Sequence, residues 1–167
     1  MSVHPDLSQF LIDNPGAVVE QVAKDYGTTT RAVVHALPEA TRKLADGKHF
    51  IAAMQDVGEW GDVTLIVHTD DGVIEVGGPV AAGSVSHGYY NVPGSKGFHG
   101  HLRHDRCAEI AFVERPFMGR LSASILFINV DGGIMFKIFV GRDDKRELKA
   151  DQIERFRALA TRLSAAG

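Results

Sequence analysis

A single cysteine, Cys107, in 167 residues leaves the chain unable to form an internal disulfide. That excludes the small secreted scaffolds that depend on such bridges, and a reducing, cytoplasmic setting is expected. An excess of one charge is missing too, since 18 Lys+Arg stand against 21 Asp+Glu for a formal net charge of -3. This balance, with 44% hydrophobic residues, excludes both a polybasic nucleic-acid binder and a disordered tail. Long apolar runs are also lacking. The longest uninterrupted one covers residues 50–54, far short of the roughly 20 residues that span a bilayer, so no stable membrane insertion is expected. Residues 1–5 carry neither the basic stretch nor the apolar run of a signal peptide. What the chain does have is eight histidines. His87, His99, His101 and His104 are clustered, and His68 lies a little upstream.

The length suits one main core, and a single domain over residues 1–167 is expected. Within it, residues 1–60 read as helical. Val18, Val22, Val33, Val34 and Leu37 recur at helical spacing, interrupted by Tyr26-Gly27 and a threonine run that supplies an N-cap. Pro38 ends this pair, and a further helix is expected around residues 48–57. From Gly61 the period becomes two. Val63, Leu65 and Val67 alternate with Thr64, Ile66 and His68, and Asp70-Asp71-Gly72 marks a hairpin turn.

Strands are expected over 85–92, 98–103, 108–113, 122–130 and 134–140, the last two joined through Asp131-Gly132-Gly133. Such regular spacing argues for an antiparallel meander over residues 61–142. Residues 143–167 read as a closing helix, with Asp144 and Glu147 spaced as a capping pair and Ile153, Phe156, Ala160 and Leu163 forming one stripe. The fold class is therefore α+β: a helical N-terminal segment, an antiparallel sheet and a C-terminal helix packed on it.

The helix-turn-helix look of residues 17–37 invites a DNA-binding reading. Charge opposes it. Residues 1–60 hold five basic side chains against eight acidic ones, and the second helix offers only Arg31 and His35 to phosphates.

Strand alternation puts His99, His101 and Arg103 on one face and Phe98, Gly100 and Leu102 on the other. Neutral imidazoles there would suit a transition metal, while the same stretch also reads as a solvated, glycine-punctuated loop. Lys137 shares its face with Met135 and Phe139 on a strand that otherwise reads as core, so its cation needs a partner anion or a route to the edge. Cys107 has no base positioned beside it and reads as a buried structural thiol.

Five segments carry a family resemblance: Trp60-Gly61-Asp62-Val63-Thr64-Leu65-Ile66-Val67-His68-Thr69, His87-Gly88-Tyr89-Tyr90-Asn91, Gly100-His101-Leu102, Arg115-Pro116-Phe117-Met118-Gly119-Arg120 with Ser122-Ala123-Ser124, and Phe136-Lys137-Ile138-Phe139-Val140-Gly141-Arg142-Asp143. In this order, over nearly the whole chain, they resemble the cytoplasmic haem-utilisation carriers of the HutX/ChuX type. The resemblance implies a saddle-like antiparallel sheet flanked by helices. It also implies a homodimer that mimics one chain of the duplicated HemS/ChuS-type proteins, and haem binding without obligatory turnover.

Two haem-contacting histidines are implied, and they fall on His68 and His101, as ligands of the haem iron. No ligand role is carried onto His99. Haem offers an apolar disc, an iron and two propionates, so Arg103, Lys137 and Arg142 are the expected propionate partners. The function implied is an intracellular haem carrier or store serving haem uptake and iron acquisition, which hands haem to a degrading enzyme or another acceptor. A haem-degrading enzyme is the alternative, and a DNA-binding regulator the second alternative.

Overall fold

The computed structural model describes residues 6–94 and 96–167, so the reading made for residues 1–5 lies outside it. Three short helices begin the described chain: α1 (Leu7–Asp13), α2 (Val19–Asp25) and α3 (Thr30–Ala36). Asp6 caps α1 by accepting from the Ser8 amide, and the Thr29 hydroxyl caps α3 by accepting from the Ala32 amide. Gly27, at φ 60°, makes the tight reversal between α2 and α3 that a side chain with a Cβ would resist.

After α3 come β1 (Arg42–Asp46), α4 (Phe50–Val57), β2 (Asp62–Thr69) and β3 (Gly72–Pro79). The strands β4 (Ser84–Ser86), β5 (Tyr89–Val92) and β6 (Gly100–Leu102) follow. The chain closes with β7 (Cys107–Phe117), β8 (Arg120–Asn129), β9 (Ile134–Phe139) and α5 (Ala150–Ala165). The main sheet has six antiparallel strands in the order β1-β7-β8-β9-β2-β3, and β4-β5-β6 form a separate three-stranded sheet. The α+β class and its antiparallel sheet are as the sequence pattern implies.

The main sheet has two differently covered faces. On one, α4, α5 and the small sheet pack Phe50, Met54, Phe156, Leu159, Tyr90 and Val92 against Val63, Leu65, Ile125, Phe127 and Ile138. On the other, α1–α3 lay Leu11, Val19, Val22, Val33, Val34 and Leu37 against Ala111, Val113, Leu126 and Ile128. These apolar stripes are the folding signal on both sides. The second cover stops short, leaving the far part of its face, over β2, β3 and β9, without a helix on top.

Five local expectations are corrected. The stretch read as helical up to residue 60 contains β1, which pairs with β7 at the edge of the main sheet. The segment 85–92 is a hairpin, because His87 at φ 53° and Gly88 at φ 81° form its two-residue turn, which suits a type I′ reversal. The strand expected over 98–103 is shorter, since only Gly100–Leu102 pairs with β5. Asp144 and Glu147 do not cap α5. Instead Asp143 Oδ1 accepts from the amides of Lys145 and Glu147 in a separate turn, and the helix begins at Ala150. Met135 does not share a face with Lys137: a register shift between Phe127 and Ile128 in the β8–β9 pairing turns Met135 towards the core, while Lys137 and Phe139 face the uncovered side.

Candidate functional site

The uncovered face of β2, β3 and β9 forms a cleft of about 460 Å³, in the size range of cofactor sites. Its floor follows from alternation along β2. Val63 and Leu65 enter the core, so Thr64, Ile66 and His68 emerge into the cleft. Cross-strand pairing brings Val73 beside His68, Glu75 and Lys137 beside Ile66, and Phe139 beside Thr64. Val18, just before α2, and Phe117, from the β7–β8 hairpin, complete apolar walls, and Arg142 stands at the end of β9.

Beside His68 lies a carboxylate whose two oxygens are buried. Glu20, on α2, pairs through Oε1 with the Lys137 ammonium, and its Oε2 lies 3.5 Å from His68 Nδ1. Neither Glu20 oxygen makes a hydrogen bond of good geometry, so charge alone holds the cluster. Arg115 adds to the field. Its Nη1 donates to the Ala17 carbonyl at 3.1 Å, and burial draws its pKa below the usual arginine value while Glu20 opposes that fall. A carboxylate facing Nδ1 favours a proton there, which leaves the His68 Nε2 lone pair for a ligand.

The other predicted side chains fall in different settings. Arg142 lines the cleft and pairs with neither Asp143 nor Asp144. Its guanidinium donates to the carbonyls of Leu121 at 2.7 Å and Arg146 at 3.1 Å, so among the described residues no carboxylate cancels its charge. Lys137 lines the cleft, but its ammonium is matched by Glu20. Arg103 lies outside the cleft, forked onto Asp105 at 2.7 and 2.8 Å, and it holds that carboxyl down to about 2.

His101 lies on the small sheet and lines neither of the two clefts that His68 lines. Its neighbours Gly100 and Leu102 alternate with it, and Leu102 packs into the core shared with Val63 and Leu65, so His101 points outwards on that side. The two histidines thus emerge on opposite sides of the core.

Of the remaining histidines, His35 contacts Glu109 at 2.6 Å and His87 makes a turn, while His99 is exposed. Arg31 also reaches Glu109, at 3.5 Å, so α3 directs both groups proposed for DNA phosphates onto β7. Cys107 is buried and its pKa is pushed up to about 12, chiefly by desolvation, which leaves an inert thiol. Among the described residues there is no group of three or more His, Cys, Asp or Glu side chains that could hold a metal ion.

Sequence reasoning missed Glu20, Glu75, Phe117 and Gln152. Gln152, fully buried on α5, donates from Nε2 to the carbonyls of Trp60 and Asp62 and accepts from the Gly141 amide at 2.7 Å. It ties the start of β2 to the residue before Arg142. Its only sequence signal is a polar residue next to the apolar stripe of a helix.

Comparison with known proteins places the chain. The profile of the family described as haem utilisation ChuX/HutX matches residues 43–159. The intracellular heme transport protein HutX of Vibrio cholerae serotype O1 (strain ATCC 39315 / El Tor Inaba N16961) is 38% identical over 159 residues, covering 95% of this chain and 82% of that protein. A crystal structure from Erwinia carotovora is 44% identical, with a TM-score of 0.92 over 96% of this chain and 99% of that one. The structure of the heme binding protein ChuX is 41% identical, with a TM-score of 0.87 over 95% of this chain and 99% of that one. A wider likeness, to the Escherichia coli O157:H7 heme degrading enzyme ChuS, has 13% identity and a TM-score of 0.76 over 49% of that chain, and it concerns the fold alone. With the family profile matched across most of its length and relatives this similar along nearly all of it, the chain belongs to the ChuX/HutX haem-utilisation family.

Proposed function

We propose that this protein binds haem and carries or stores it inside the cell for iron acquisition, releasing it to a degrading enzyme or another acceptor. The observation that carries this reading is the His68 cleft. It joins an apolar platform of Ile66, Val73, Phe117 and Phe139 to one imidazole and one uncancelled guanidinium. Haem asks for those three things: a surface for its disc, a ligand for its iron and a cation for its propionates. In this reading His68 Nε2 is the iron ligand offered by the cleft, and Arg142 is the propionate partner. Lys137, already matched by Glu20, sets the field beneath the disc, and Arg103 serves a site outside the cleft.

A carrier suits the open cleft better than a catalyst does. Degradation of haem calls for a sealed site that controls water, whereas a face open to solvent lets cargo leave. The likeness to a haem-degrading enzyme is at 13% identity and lends this chain no activity.

His101 is proposed as the second iron ligand, acting from another surface, so that one chain offers the iron one imidazole at a time. A second copy of the chain would supply the other, in a homodimer. Support comes from β3, an edge strand whose Val73 and Ile74 are 54% and 59% exposed, the kind of edge that seeks a neighbour. The whole chain acts as one unit in this reading, its N-terminal helices included, because Glu20 on α2 reaches His68. Among the described residues no helix is long and apolar enough to cross a membrane. We take the cytoplasm as the site of action.

The test is a hemin titration of the purified protein with a reductant arm. A saturable Soret change that persists when reductant and catalase are added supports a carrier. Progressive loss of the band under those conditions makes the protein a haem-degrading enzyme instead.

A further inference from the structure

We infer that Asn91 is a positioning residue that fixes the proton of His101 on Nδ1 and so presents Nε2 as the free, ligating nitrogen. This rests on the proposal that His101 takes haem iron. It adds the residue that prepares His101 to do so.

Asn91 on β5 and His101 on β6 are direct cross-strand partners, and His101 Nδ1 lies 2.6 Å from Asn91 Oδ1. Which end of the amide faces the imidazole is settled by the other end. Asn91 Nδ2 has four oxygen acceptors around it: Ser86 Oγ at 2.8 Å and the carbonyls of Ser86, Tyr89 and Ser84 at 3.2, 3.3 and 3.4 Å. Turning the amide over would aim its oxygen at three carbonyl oxygens and lose those three bonds, leaving only the Ser86 hydroxyl able to donate to it.

With Oδ1 fixed towards the ring, a bare Nδ1 would set two lone pairs against each other. Nδ1 must therefore carry the proton, and in the neutral imidazole Nε2 is left as an acceptor. His101 is exposed and its Nε2 makes no hydrogen bond among the described residues, so that lone pair is open to an incoming metal. The Tyr89 ring stands edge-on, 6.1 Å away at 70°, with Arg103 over it at 5.9 Å, and limits rotation of the imidazole.

The arrangement depends on local register. His87 and Gly88, both at positive φ, close the β4–β5 hairpin in two residues and set Asn91 opposite Ser84. A longer turn would move Asn91 off these oxygens. Within the His87-Gly88-Tyr89-Tyr90-Asn91 segment, Tyr90 packs into the core, while a turn, a ring and an amide together set the protonation pattern of a histidine on the next strand.

The experiment is long-range nitrogen-15 NMR of the haem-free protein, which reports which imidazole nitrogen is protonated, combined with hemin titration. The wild type should show His101 protonated at Nδ1. Asn91→Leu should shift His101 towards the Nε2-protonated form and weaken haem binding by about 10- to 100-fold, the usual cost of losing a group that orients a metal-binding histidine. In a His101→Ala background the same substitution should change affinity by less than about twofold, because Asn91 acts only through His101.

Ser86→Ala, which removes only the 2.8 Å acceptor, should give a smaller shift of the same sign and serves if Asn91→Leu fails to fold. A wild-type His101 protonated at Nε2, or an Asn91 effect equally large without His101, overturns the inference. If His101→Ala binds haem with wild-type affinity and spectrum, the ligand reading itself falls, and the NMR result separates that failure from a failure of the positioning role.

Discussion

His68 Nδ1 lies 3.5 Å from Glu20 Oε2, and the other oxygen of that carboxylate pairs with the Lys137 ammonium. One buried anion from α2 thus serves two side chains that rise from adjacent strands, β2 and β9. Without it, Lys137 would be a largely desolvated cation on an apolar floor, and the His68 ring would lose the charge that favours a proton on Nδ1.

Glu20→Gln keeps the shape and removes the charge. It should destabilise the protein by about 1–3 kcal/mol in urea unfolding, less than a fully buried broken pair because the cluster retains some solvent contact. Pairing it with Lys137→Met should recover most of that loss. A double variant no more stable than Glu20→Gln alone contradicts the coupling.

Much of this site was legible in the sequence, and the rest was hidden for a physical reason. Period-two alternation on both sides of Asp70-Asp71-Gly72 reads out the β2–β3 hairpin and puts His68 on the face of Thr64 and Ile66, because one residue's step flips the side chain. The cation at Lys137 announces its need for an anion. The anion does not announce itself: Glu20 comes from a helix whose docking across the sheet no local spacing encodes. Gln152 is hidden in the same way. Its three backbone partners lie on other elements. The strand β1 carries too short a pattern to separate from its helical surroundings, and the bulge that turns Met135 inwards arises from pairing between β8 and β9 rather than from either strand alone.

Arg142 gives a test of how the disc is oriented. Wild-type protein should bind haem more tightly than haem dimethyl ester, since esterification removes the propionate charges. Arg142→Ala should reduce that preference by about tenfold, the loss of roughly one charge-assisted hydrogen bond. An unchanged preference in paired Soret titrations assigns the propionates to another part of the molecule.

Gln152→Leu should cost about 3 kcal/mol in urea unfolding, because it strands the Trp60 carbonyl and the Gly141 amide where water does not readily replace the amide, and leaves the Asp62 carbonyl only the Lys149 ammonium at 3.4 Å. The same variant should loosen the end of β9 next to Arg142, seen as faster amide exchange at Gly141. A stability change below about 0.5 kcal/mol contradicts the role assigned to it.

Cys107 should leave a signature at high pH. Its folded pKa, about 12, lies above the usual thiol value, so the folded state holds the proton more tightly than the unfolded chain does. The stability linked to it is fully present below about pH 8.5 and is lost as pH rises towards about 12. Wild-type protein should lose more stability than Cys107→Ala between pH 9 and 11, and its thiol should resist alkylation at about pH 8 until the chain is unfolded. Rapid alkylation of the folded protein at that pH contradicts the burial argument.

The most direct test of the account is the haem complex of His68→Ala beside the wild type, followed by Soret titration and by electron paramagnetic resonance of the ferric form. The account predicts that the wild type saturates with the spectrum of iron held by two imidazoles. The variant should bind at least about tenfold more weakly and lose that signature. A variant that saturates at the same hemin concentration with the same spectrum would show that the cleft beside α2 is not where the iron is held.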